Sequence, residues 1–140
     1  MATTKNDAQK ALMLKLEAEM IKFQPTVKYA YEENMSEGYY WNAAQIAKDF
    51  KLGNDMVKTA AKLAYEADLT NGRYSDATGL TEIFEFTEYE KKAAAENAYV
   101  RSLSEGYYSA AAEIAKNFRF DSNLIKGTEL LAKYKGLLRK

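Results

Sequence analysis

Ser36-Glu37-Gly38-Tyr39-Tyr40 occurs again, unchanged, as Ser104-Glu105-Gly106-Tyr107-Tyr108, and Thr70-Asn71-Gly72-Arg73-Tyr74 lies midway between them. Gly38, Gly72 and Gly106 therefore stand 34 residues apart, which marks the chain as a repeat of one supersecondary unit. Other columns keep the same period. Small and aromatic positions recur as Ala30, Ala64 and Ala98, then Tyr31, Tyr65 and Tyr99. Beyond the glycines, Ala43, Ala77 and Ala111 are followed by Ile46, Leu80 and Ile114, then by Phe50, Phe84 and Phe118. Leu52, Phe86 and Phe120 close the unit.

Each unit reads as a helix, a turn and a helix. Val27, Ala30, Tyr31 and Met35 have the i, i+3, i+4 and i+8 spacing of one helical face, and Ala43, Ile46, Ala47 and Phe50 line a second. The glycine between them ends the first helix, because it enters the left-handed region without a Cβ penalty. At the joints, Thr87-Glu88-Tyr89-Glu90 is a capping box, and Gly53-Asn54-Asp55 and Asp121-Ser122-Asn123 are further caps. Small alanines allow close helix approach, while the phenylalanine column is expected to fill the groove between units.

The period predicts an all-α chain, a single domain over 1–140 with repeats at 24–57, 58–91 and 92–125. An N-terminal helix over 5–23 is expected to lay Ala8, Leu12, Leu16, Met20 and Phe23 over the first repeat and to end at Gln24-Pro25. Leu124, Ile125, Leu131, Tyr134 and Leu138 predict a C-terminal capping helix running to 139, with Lys135, Arg139 and Lys140 suited to its end. The expected total is about eight helices. Tyr74–Phe86 is the stretch most open to a strand, since Gly79 weakens a helix and Thr78, Thr81 and Phe84 have β tendencies.

Composition narrows the function classes. The chain of 140 residues contains no cysteine and no histidine, so disulfides, thiolate metal sites, thiol nucleophiles and the commonest general base are absent. Carboxylate pairs remain, namely Glu32-Glu33, Glu66 with Asp68, and Glu82 with Glu85, and at helical spacing these read as solvated surface. Each glycine is isolated, matching neither a phosphate loop nor a dinucleotide fingerprint. The expectation is a non-enzymatic protein that calls for no cofactor and no metal. Twenty basic residues balance twenty acidic ones, so no global field favours a phosphate backbone. The first residues lack the apolar run of a secretory signal, and no stretch has the length of a membrane span; a cytoplasmic protein with no membrane partner is the simplest expectation.

Gly38, Tyr40 and Ala43, repeated as Gly72, Tyr74, Ala77 and Gly106, Tyr108, Ala111, resemble the tetratricopeptide repeat over residues 24–125. The chain departs from that pattern in three ways. Tyrosine stands at 31, 65 and 99 where the family has a small residue, the boundary proline is absent, and the large aromatic is one turn later than usual, leaving Ala47, Thr81 and Ala115 in its place. The resemblance implies a right-handed α-solenoid that binds a protein or peptide in a groove lined by the first helices. The lining residues would be Lys28, Glu32, Met35, Lys62, Glu66, Leu69, Glu96, Val100 and Leu103. Lys28 and Lys62 would then grip a carboxylate; alternatively they form i,i+4 ion pairs with Glu32 and Glu66. Tyr40, Tyr74 and Tyr108 are expected to pack the turn, while Tyr39, Trp41 and Tyr107 are candidate exposed anchors. Pentatricopeptide repeats, which bind single-stranded RNA, resemble the same glycine and alanine spacing, but their period is one residue longer and neutral charge argues against them. A self-assembling structural subunit is the third reading.

Overall fold

A computed structural model describes residues 5–135, and these form seven α-helices with no strand among them. In chain order they are α1 (Lys5–Glu37), α2 (Tyr40–Asp49), α3 (Asn54–Thr70), α4 (Tyr74–Ile83), α5 (Glu88–Ser104), α6 (Tyr108–Asn117) and α7 (Ser122–Tyr134). The stretch most open to a strand is helical as α4. Thr78 and Thr81 are accommodated there by donating their hydroxyls to the carbonyls of Tyr74 and Thr78.

The count differs from the expected eight because Gln24-Pro25 does not end a helix. α1 runs unbroken for 33 residues with Pro25 inside it, joining the expected 5–23 helix to the first helix of the first repeat. An internal proline forfeits one backbone hydrogen bond and costs about 3 kcal/mol. Here Leu, Lys, Glu, Met and Ala dominate the preceding turns, and Val27 and Tyr31 anchor the following ones by burial. The expected capping helix is present as α7; Leu138, Arg139 and Lys140 lie outside the described residues.

The chain divides into two compact units, with the boundary inside α3 between Ala60 and Ala61. In the first unit α1 packs on α2, with Val27 and Tyr31 buried along with Ala43, Ala44 and Ala47. The Tyr31 hydroxyl donates to the carbonyl of Met56 at 2.8 Å, and burial raises its pKa. The front half of α1 does not cover this core: Leu12, Leu16 and Phe23 are all exposed.

In the second unit α6 packs on both α5 and α7. Its core gathers Tyr65 and Leu69 of α3, Ala77 and Leu80 of α4, Ala94, Ala95 and Ala98 of α5, and Ala111, Ile114 and Ala115 of α6. Tyrosine at the position where the tetratricopeptide pattern is small has a visible role. Tyr65 meets Phe86 edge-on at 5.4 Å, and Tyr99 meets Phe120 in the same way at 5.3 Å. The Tyr99 hydroxyl also shares a hydrogen bond of 2.7 Å with Thr128 on α7. Of the phenylalanine column, Phe84 is buried whereas Phe50 and Phe118 are half-buried.

Local backbone geometry recurs with the sequence period. Gly38, Gly72 and Gly106 have φ of 82°, 74° and 78°. The next amides, of Tyr39, Arg73 and Tyr107, each donate at 2.8 Å to a carbonyl five residues back, the bond that closes a helix C-terminus after a left-handed glycine. At the other joint Phe50, Phe84 and Phe118 are followed by Lys51, Glu85 and Arg119, whose φ values are 53°, 54° and 54°. The Thr87 capping box forms with both of its bonds, and Asp121 accepts from the Asn123 amide.

The two kinds of glycine respond oppositely to a methyl group. Gly79 lies inside α4 with open space around its absent Cβ, so Gly79→Ala is expected to stabilise the chain by about 1 kcal/mol. Gly72 also has open space but a left-handed backbone, so Gly72→Ala is expected to cost about 1–2 kcal/mol. Urea denaturation of both variants checks the pair; two shifts of the same sign would contradict it.

Candidate functional site

Within the second unit α3 and α5 meet across a charged contact. Glu66 is buried, 5% exposed, and its Oε1 lies 3.2 Å from Arg101 Nη2; Asn97 adds a side-chain hydrogen bond. Lys62 Nζ is 3.9 Å from Glu90 Oε2. Lys62 and Glu66 thus take partners on α5 instead of forming the expected i,i+4 bridge. Asp68 is buried as well, with Arg73 Nε 3.5 Å from its Oδ1. These two carboxylates are therefore not solvated surface, because arginines from beyond α3 cover them.

Burial raises the Glu66 pKa, and Arg101, Asn97 and Lys62 only partly offset this. A carboxyl whose folded value lies above its unfolded one favours the folded state most when protonated. Its contribution is complete below the ordinary glutamate range and is lost as pH rises through the raised value. Glu66→Gln is expected to remove this slope, so the variant gains stability relative to the parent as pH increases. Urea melts of both proteins from about pH 4 to 8 measure it; a constant difference across that range would refute the assignment.

A second feature of this unit is an open cleft of about 600 Å³. One wall is the outer face of α5 with Lys92, Glu96, Tyr99 and Val100; the other is Phe118, Arg119, Phe120 and Asp121 before α7, and Leu124 in its first turn. Val100 is 59% and Leu124 48% exposed, so apolar side chains lie open to solvent between Lys92 and Arg119 of one sign and Glu96 and Asp121 of the other. The arrangement suits contact with an amphipathic surface; it offers no nucleophile paired with a base.

Of the nine residues expected to line a groove, Glu96 and Val100 share this cleft. Leu103 is half-buried on α5. Leu69 is enclosed in the core, bordering a smaller cavity of about 280 Å³ with Tyr74, Thr81 and Asn117. Lys62 is exposed at the α3–α5 contact where Glu66 is buried. On α1, Lys28 and Glu32 are exposed and Met35 is half-buried. Three residues were not anticipated: Arg101, Arg119 and Leu124. Arg119 was detectable as a member of the column after the phenylalanines, whereas Leu124 reads as interior of the final helix.

The turn tyrosines divide as expected in exposure: Tyr40, Tyr74 and Tyr108 are half-buried, Tyr39 and Tyr107 exposed. Lys135 Nζ sits 5.8 Å from the Tyr107 ring centre and 5.7 Å from that of Tyr108, and donates to the Gly106 carbonyl. Trp41 is half-buried. Among the described residues no group of three or more Asp or Glu could hold a metal ion, and no helix is long and apolar enough to cross a membrane. No family model, no curated protein and no solved structure matches the chain.

Proposed function

We propose that the chain is a non-enzymatic interaction scaffold, a tetratricopeptide-like α-solenoid that holds a peptide or partner subunit on its first-helix face. The observation carrying this reading is the cleft beside α5, where Val100 and Leu124 are exposed between charges of both signs. A peptide helix or strand with alternating apolar and charged residues complements it: the apolar groups cover Val100 and Leu124, and the charges meet Lys92, Glu96, Arg119 and Asp121. Recurring columns serve the architecture, whereas Glu96 and Val100 replace the lysine and glutamate of earlier units, as a site that reads a partner requires.

Selection of peptides from a random library on the immobilised chain tests the reading. Retained peptides are expected to bind Val100→Asp and Leu124→Asp variants at least about ten-fold more weakly, since each substitution places a charge against apolar contacts. Circular dichroism of the variants is expected to match the parent, because both side chains are exposed. Peptides that bind these variants normally but lose Tyr39→Ala or Trp41→Ala would move the interface to the turn edge. Retention of single-stranded RNA with a steep loss of affinity in salt would replace the peptide reading with RNA binding.

A further inference from the structure

We propose that the front half of α1, Lys5–Gln24, pairs antiparallel with the same segment of a second copy of this chain. Met13, Leu16, Met20 and Phe23 follow one another at spacings of three, four and three, the seam of a two-helix coiled coil. Met13 is 53%, Leu16 51% and Phe23 59% exposed, so the seam is open along its length. An isolated helix of this size is marginal in water, and packing of an apolar face is what usually sustains it. This surface is on the first unit and does not depend on the cleft beside α5.

The flanking charges select the occupant and its direction. With Met13 placed opposite Leu16 of the second copy, Lys10 faces Glu17 of the second copy, and the two-fold axis repeats the pair. Sliding by one heptad would set Glu17 against Glu17 and Glu19 against Glu19. A parallel, in-register pair would bring Lys5 against Lys10. Only the first of these arrangements joins opposite charges at the flanks.

Sedimentation equilibrium of the full chain over a dilution series tests the proposal. The expected result is a monomer–dimer equilibrium that Met13→Glu with Leu16→Glu abolishes. Lys10→Glu alone and Glu17→Lys alone, which leave the seam intact, are each expected to raise the dimer Kd roughly three- to ten-fold. An equimolar mixture of these two single variants is expected to pair better than either alone, since one copy then carries acidic groups at both flanking positions and the other basic groups at both. A monomer at every concentration would overturn the proposal, as would a dimer indifferent to Met13→Glu with Leu16→Glu. Tightening by Lys10→Glu would overturn the antiparallel direction, because that change relieves the parallel Lys5–Lys10 contact.

Discussion

Phe84→Ala is expected to destabilise the chain by about 3–5 kcal/mol, the range for truncating a buried aromatic side chain. Phe84 is 3% exposed, at the end of α4. Its backbone amide is bonded to the Leu80 carbonyl and its successor Glu85 has a left-handed φ, so the chain has little freedom to collapse into the space the ring leaves. Phe50→Ala and Phe118→Ala are expected to cost less, because those rings are half-buried and part of their surface is already wet. Urea or guanidinium melts of the three variants rank them. Equal losses would mean that the column packs alike in every unit despite its unequal burial.

A second large effect is expected in alkali. Burial, with a smaller contribution from Glu88, pushes the Tyr65 pKa up to about 12. The folded state therefore prefers the neutral phenol, and this preference is fully present below the unfolded value near pH 10. It is lost as pH rises from there through the folded value, and two pH units correspond to about 2–3 kcal/mol. Tyr65→Phe keeps the ring that meets Phe86 and Phe118 at 5.4 and 6.4 Å, and cannot ionise. The stability of this variant relative to the parent is expected to grow steadily above about pH 10. Denaturant melts of both proteins up to about pH 11.5 give the difference directly, and a flat difference would show that the phenol reaches solvent.

The repeat, its turns and its caps were legible because each depends on residues a few positions apart. A glycine after a helical face, a Thr-x-x-Glu box and an aspartate two residues before its bonded amide are local chemistry, and all three stand where the sequence puts them. Pro25 misled for the same reason. Locally it resembles a proline in a first helical turn, and nothing nearby reveals that flanking turns carry the helix through it. The fate of Glu66 was hidden because its partner Arg101 lies 35 positions on, on another helix, while a plausible lysine sits four residues before it. The cleft was half legible: periodicity placed Glu96 and Val100 on a free face of α5, but its opposite wall comes from the Phe118–Asp121 connection and the start of α7.

Lys51, Glu85 and Arg119 share one backbone conformation within a degree, at equivalent points of units whose side chains otherwise diverge. A crossover in the coding sequence with both breakpoints at this joint removes or adds 34 residues and meets identical dihedrals on either side of the scar. Length is then a heritable variable that changes in whole units without passing through a misfolded intermediate form. The number of units in a lineage records recombination at these joints, while point substitution between them adjusts what each unit touches.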